Sequence, residues 1–231
     1  MTLPTATASR FDYTEGVDYP VRVEVPMPRD LFDRLTEHDH APVCRYEEAT
    51  GLAEFVAMPT LSHEGRAALV ERLFFHVELL TLEARLLRRI LVARSVRLMS
   101  DDGAFEADTS LFVNSRNVIT ASGIEGYLDT RQGHPVPDLV VEVDRSVNSK
   151  RKLRPYFAMG VREAWTWSKR DGARIWIPDP AGDGARIADL STVLPGVSME
   201  ALDRLLADGF RDDQLGLSRE MARQVVAGWS R

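Results

Sequence analysis

The segment PDLVVEVDRSVNSKRK, residues 137–152, constrains the fold more than any other part of this chain. Its run of aliphatic side chains predicts a buried β-strand: Leu139, Val140, Val141 and Val143. Glu142 interrupts this run, and a basic cluster follows the strand at once. A carboxylate within a buried strand, with cations directly after it, requires either a structural or a chemical reason.

The two faces of this strand differ in character, because successive side chains on a strand point to opposite sides. One face carries three acids and a valine: Asp138, Val140, Glu142 and Asp144. The opposite face is aliphatic and is predicted to pack in the core. An ordinary half-exposed strand with solvated acids is one explanation of the acidic face, and a cation site is the other.

The distances between these acids along the strand decide which of them can bind the same ion. A strand rises about 3.3 Å per residue, so Asp138 and Glu142 stand roughly 13 Å apart, whereas Glu142 and Asp144 stand roughly 7 Å apart. A neighbouring strand lies about 4.8 Å away, and Asp108 on the strand predicted at 107–113 is the obvious partner. Such a cluster is unfavourable without a cation, and oxygen ligands suit Mg²⁺ or Mn²⁺.

The basic cluster adds a second clue. Residues 145–154 contain five cations and no acid: Arg145, Lys150, Arg151, Lys152 and Arg154. A helix is predicted from Asn148 to Met159, and Pro155 favours a start nearer Lys152, because proline is tolerated in a first helical turn. Cations there oppose the helix dipole, whereas a bound phosphate would reverse that effect. A solvated helix start is the alternative.

The rest of the chain mixes strands with helices, which predicts a mixed α/β (α+β) fold. Strands are predicted at 45–59 as a pair, at 90–100, at 107–113, and at 163–179 as a hairpin. Helices are predicted at 63–86, at 198–207 and within 211–231. Trp165 and Trp167 share one face of the hairpin, where core packing is the first explanation and a homodimer contact the second.

The composition excludes several classes of protein. The 231 residues contain one cysteine, Cys44, which rules out an internal disulfide framework. There is no apolar run long enough to span a membrane and no signal-peptide pattern at the start, so we expect a cytoplasmic protein. The net charge of −6 argues against a surface that coats nucleic acid non-specifically, but it leaves room for a local basic strip.

Six motifs occur in an order that is typical of one family: RYEEATG (45–51), PTLSHEGRAALVERL (59–73), FEADTSLFV (105–113), PDLVVEV (137–143), GVREAW (160–165) and LPGVSMEAL (194–202). Ser146, Lys152, Leu153 and Tyr156 fall between the fourth and fifth motifs. Over residues 45–205 the chain resembles the bacterial Uma-two family of restriction endonucleases, which belongs to the PD-(D/E)XK nuclease superfamily.

The resemblance implies a restriction-endonuclease-like core, a mixed twisted sheet flanked by helices, and metal-dependent hydrolysis of DNA. It implies that Asp108 and Glu142 bind the metal and that Lys152 is the catalytic lysine. It also implies that Glu47 is an extra metal or water contact and that His63 matches the histidine of the first helix. Together with the element pattern, it predicts a flexible arm at 1–25, the nuclease-like domain at 26–208 and a helical tail at 209–231.

The mechanism that this resemblance suggests uses one Mg²⁺ (or Mn²⁺), held by Asp108, Glu142 and the carbonyl of Val143. Lys152 then positions the attacking water or stabilises charge on the phosphate. Three basic side chains are expected to bind the flanking DNA phosphates: Arg145, Lys150 and Arg151.

Two departures from the family pattern leave a second function open. Ala107 replaces the proline that precedes the metal aspartate, and Asp144 adds an acid two residues after Glu142. The alternative function is a catalytically degenerate module that binds nucleic acid or protein. A weaker third possibility is action on RNA or on a small phosphodiester.

Overall fold

A mixed ten-stranded sheet dominates the part of the chain that the computed structural model describes, namely residues 21–36, 44–57, 61–124, 126–143, 150–181, 184–207 and 214–230. The strands are β1 (Val21–Pro26), β2 (Cys44–Glu47), β3 (Leu52–Ala57), β4 (Leu91–Ser100), β5 (Gly103–Phe112), β6 (Leu128–Asp129), β7 (Leu139–Val143), β8 (Glu163–Ser168), β9 (Gly172–Pro178) and β10 (Ala185–Ala188). The helices are α1 (Arg29–Thr36), α2 (Leu61–Glu83), α3 (Ser115–Ala121), α4 (Lys150–Met159), α5 (Met199–Leu206) and α6 (Gln214–Trp229), with one short 3-10 turn at Thr130–Gln132.

The strand order is β1-β3-β2-β5-β7-β8-β9-β10, and β4 pairs with β5 and with the short β6. Strand β7 lies in the middle, antiparallel to β5 and parallel to β8. The parallel pair needs a crossover connection, and α4 supplies it. The predicted mixed sheet with flanking helices is therefore confirmed.

Helices cover both faces of the sheet. On one face, which we call the α2 layer, α2, α5 and α6 pack against strand residues that include Val141 and Trp165. On the other face, which we call the α4 layer, Leu153 and Tyr156 of α4 pack with Val140 and other strand residues. All five residues of β7 are consequently buried, so the explanation by a half-exposed strand with solvated acids is wrong.

The tryptophans of the hairpin belong to this core. Trp165 is fully buried and Trp167 is 4% exposed, both in the α2 layer. Arg66 of α2 lies over the ring of Trp167, with its guanidinium carbon 3.8 Å from the ring centroid. Core packing, the first explanation, is confirmed for this pair, and neither ring is free to form a dimer contact.

Strand β5 changes face close to Asp108. Ala107 and Leu111 lie four residues apart and would share a face in a regular strand, yet Ala107 packs in the α4 layer and Leu111 in the α2 layer. The register with β4 is constant on both sides of this point, which places Ser95 opposite Asp108. Ser95 has a positive φ of 48°, an uncommon conformation for a non-glycine residue. The face reversal thus coincides with Asp108.

Both ends of the described chain pack against the rest of the fold. Strand β1 pairs antiparallel with β3 along its whole length, so residues 21–25 belong to the sheet and not to a flexible arm. Residues 1–20 lie outside the described part. At the other end, α6 packs on α2 and places Met221, Ala222 and Val225 in the core. A helix was predicted within 211–231, and α6 forms it as part of the α2 layer.

Helix α4 spans Lys150–Met159, inside the predicted range Asn148–Met159, and Pro155 is its sixth residue. The expectation that Pro155 would lie in the first turn is therefore wrong. The helix ends as predicted at Gly160, whose φ of 100° suits glycine. The N–H groups of Gly160 and Val161 there donate to the carbonyls of Phe157 and Tyr156.

None of the helices in the described ranges combines the length and the apolar character that crossing a bilayer requires.

Gly103 offers a test of the β2–β5 junction. Its φ is 145°, and a Cβ atom added to it would lie 2.4 Å from the carbonyl oxygen of Tyr46 on the paired strand. We expect Gly103→Ala to lower the free energy of unfolding by about 2–3 kcal/mol, because the strands must separate to admit the methyl group. Urea denaturation measures the loss. Gly184→Ala is the control, since no atom lies within 4 Å of its added Cβ; equal stability of both variants would contradict the packing described.

Candidate active site

Asp108 and Glu142 lie on the neighbouring strands β5 and β7, directly after the last pair of their ladder. The antiparallel register pairs Leu111 with Leu139 and ends with Thr109 and Val141, so Asp108 and Glu142 are each the next residue at this end. The N–H of Val143, the neighbour of Glu142, donates to Asp108, and the charges of both acids act on Tyr156. The structure thus brings together the two acids that the sequence selected.

The pairing of β5 with β7 ends at this point. The last registered pair is Thr109 with Val141, and beyond it the backbone N–H of Val143 donates to Oδ2 of Asp108 at 2.6 Å. A side-chain carboxylate therefore takes the place of a backbone acceptor at the carboxyl end of β7. This contact fixes Asp108 beside Glu142 where β5 changes face.

Glu142 is 1% exposed, and both of its carboxylate oxygens have partners on α4. Lys152 donates from Nζ to Oε2 at 2.6 Å, and Tyr156 donates from its hydroxyl to Oε1 at 2.5 Å. Lys152 and Tyr156 are four residues apart, so one helical face presents both donors. A buried carboxylate is stable only when it is paired and hydrogen-bonded. Helix α4 supplies both the ion pair and the hydrogen bond to Glu142.

The electrostatics of the site keep the phenol of Tyr156 neutral. Burial, and then the negative charge and the hydrogen bond of Glu142, raise the pKa of Tyr156 well above its usual value. The charge of Asp108 acts in the same direction, and that of Arg45 opposes it. Tyr156 therefore acts as a hydrogen-bond donor to Glu142 at physiological pH.

Comparison with known proteins gives the family of this chain. The family model described as "Uma2: Putative restriction endonuclease" matches residues 30–211, which is most of the chain. The chain belongs to the Uma2 family. The description of that family is of the restriction-endonuclease type.

A solved structure has the same fold as this Uma2 protein. It is the crystal structure of a putative nuclease belonging to DUF820 from Anabaena variabilis, with a TM-score of 0.52 and 17% sequence identity. The match covers 79% of this chain and all of that one. No curated protein sequence matches this Uma2 protein.

Glu47 is not brought to the acid pair. It ends β2 opposite Gly103, which is five residues before Asp108, or about 17 Å along β5. Its carboxylate accepts a hydrogen bond from the hydroxyl of Thr50 at 2.9 Å. It lines a separate cleft of about 750 Å³ that also borders Arg154 of α4. The geometry therefore gives no support to a metal contact from Glu47 at the acid pair.

The remaining sequence candidates stay predictions. Asp144 and Arg145 lie outside the described residues. His63 is in α2, and Lys150 and Arg151 are in α4, but their side chains also lie outside the described part. For Val143, the structure places the backbone N–H against Asp108, and the role of its carbonyl is untested.

Tyr156 is the residue at the site to which the sequence reasoning gave no role. The signal was present, because Tyr156 follows Lys152 by four residues within a predicted helix. A buried ion pair nearby, Arg45 with Glu54 at 2.9 Å, was also missed. It lies across β2 and β3, where local patterning gives no sign of a buried charge.

The donor set fits a hard divalent cation. Among the described residues no group of three His, Cys, Asp or Glu side chains could hold a metal. Two facing carboxylates with backbone oxygen nearby are sufficient for Mg²⁺, which keeps several waters and often uses one or two carboxylates. Such oxygen donors give no reason to expect zinc or copper.

Proposed function

We propose that this protein is a metal-dependent endonuclease that hydrolyses phosphodiester bonds of DNA. The observation that carries the proposal is the acid pair Asp108 and Glu142 on adjacent strands, with Lys152 bound to Glu142. Membership of the Uma2 family supports the same chemistry. Each residue of this set comes from a rigid strand or helix, which suits a site that must hold its geometry.

Asp108 and Glu142, together with the carbonyl of Val143, would hold one Mg²⁺ or Mn²⁺. The cation, when bound, polarises the phosphate and lowers the pKa of a coordinated water. Asp108 is already oriented by its hydrogen bond from the N–H of Val143, and Glu142 by its bonds to α4. Both carboxylates are thereby oriented before a cation binds.

Lys152 supplies the positive charge of the site. Its ammonium also reaches the carbonyl oxygen of Glu106, at 3.4 Å, so it lies between β5 and Glu142. From there it can stabilise charge that develops on phosphate oxygens. Arg145, Lys150 and Arg151 precede it in sequence and are proposed to bind flanking phosphates, which give affinity without sequence recognition.

Substituting Lys152 separates chemistry from binding. We expect Lys152→Met to lower the rate of plasmid nicking by about 10²-fold or more, because the phosphate loses its cationic partner, while Mn²⁺ still binds. Single-turnover nicking of supercoiled plasmid in Mn²⁺ gives the rate. Lys169→Met, in the exposed turn between β8 and β9, is the matched control and should retain the wild-type rate. Unchanged nicking by the Lys152 variant would remove Lys152 from the mechanism.

A further inference from the structure

The two oxygens of Glu142 have partners that differ in exposure to solvent. Oε1 binds the hydroxyl of Tyr156, whose side chain is fully buried. Oε2 binds the ammonium of Lys152, whose side chain is 13% exposed. One oxygen therefore faces the interior of the α4 layer, and the other faces the edge of the site.

Tyr156 is held on several sides. Its ring packs edge-on against Phe105 of β5, with centroids 6.1 Å apart, and its carbonyl accepts from the N–H of Val161 at the end of α4. It lies in the α4 layer with Val140. A buried ring with these contacts cannot leave Glu142 without opening the core. Lys152, in contrast, has a flexible four-carbon stem and a strongly hydrated head that can turn towards solvent.

We propose that Tyr156 is a positioning residue that keeps Oε1 of Glu142 fixed and leaves Oε2 as the exchangeable oxygen. Oε2 is bound by Lys152 in this structure, and Lys152 releases it when a divalent cation binds. This inference rests on the proposed function, because it takes Glu142 to be a metal ligand. It assigns opposite effects on metal affinity to two neighbours of one carboxylate.

The first test measures Mn²⁺ binding by calorimetry, with Mn²⁺ alone as the probe. We expect Tyr156→Phe to raise the dissociation constant for Mn²⁺ by about 10- to 100-fold. This is the usual effect of losing a hydrogen bond that orients a metal ligand. Tyr46→Phe is the matched control, because Tyr46 is also buried and its hydroxyl donates to the carbonyl of Met27, away from the acid pair. It should bind Mn²⁺ within about twofold of wild type. The Mn²⁺-induced rise in Tm should fall in the Tyr156 variant alone.

The second test uses Lys152→Met, which remains informative if the tyrosine variant does not fold. Removing the ammonium should tighten Mn²⁺ binding, because Oε2 loses its competing cation. Equal affinity in wild type and Tyr156→Phe, or equal weakening in both tyrosine variants, would overturn the positioning role. Unchanged or weaker binding in the lysine variant would overturn the exchange at Oε2. If wild type binds no Mn²⁺, the proposed function fails along with this inference.

Discussion

Glu142→Gln is expected to lower the rate of DNA cleavage by about 10³-fold or more while leaving the fold intact. The amide retains the shape of the carboxylate but not its charge. Its oxygen can still accept from Tyr156, and its NH₂ group must then face the ammonium of Lys152, donor against donor. The site therefore loses a metal ligand and gains a repulsive contact, and both effects oppose cation binding.

Single-turnover nicking of supercoiled plasmid in Mn²⁺ measures this loss, and circular dichroism checks that the variant is folded. Glu220→Gln is the control, because Glu220 lies exposed on α6 and pairs only at the surface, with Arg223. It should cleave at the wild-type rate. If the Glu142 variant retains cleavage within tenfold of wild type, Glu142 is not part of the reacting site.

Glu163→Ala is expected to produce the largest loss of stability, about 3–5 kcal/mol. Glu163 is fully buried at the start of β8. It accepts five hydrogen bonds from neutral donors: Trp165 Nε1, Ser191 Oγ, the N–H and the hydroxyl of Thr192, and the N–H of Val193. Alanine would leave these donors buried without an acceptor and would release the 191–194 segment from β8.

Urea unfolding monitored by tryptophan fluorescence measures this change. Glu220→Ala is the comparison, and we expect it to cost less than about 1 kcal/mol, as exposed ion pairs usually do. Glu163 takes no part in the proposed reaction, so the cleavage rate per folded molecule should be retained. A loss below about 1 kcal/mol would show that the 191–194 segment is held by other contacts.

Local patterning was sufficient for the elements that carry the acid pair. The aliphatic run of β7 and the glycine at the end of α4 each reflect short-range preferences that the sequence exposes. The sequence also predicted that Asp108 lies close to Glu142, because a neighbouring strand can supply a second carboxylate to a cation site at Glu142. Each of these features depends on a few residues that are close together in the sequence or on adjacent strands.

The features that were missed depend on tertiary partners. The alternating valines of β1 form a strand because β3 offers an edge, and nothing within residues 21–26 specifies that edge. The face reversal near Asp108 lies opposite Ser95 of β4, whose positive φ no local rule favours. The burial of the acid-bearing face of β7 arises from α4 packing across it, which is also what gives Tyr156 its contact with Glu142.

The most direct test of the central claim is nicking of supercoiled plasmid by wild-type protein and by Asp108→Asn, in Mn²⁺, in Mg²⁺ and in EDTA. Asp108 and Glu142 are expected to act as a metal-binding pair, so wild type should nick the plasmid with a divalent cation and not in EDTA. The Asp108 variant should be inactive under all three conditions. Absence of nicking by wild type with either cation, or equal nicking by both proteins in EDTA, would contradict a metal-dependent nuclease at this site.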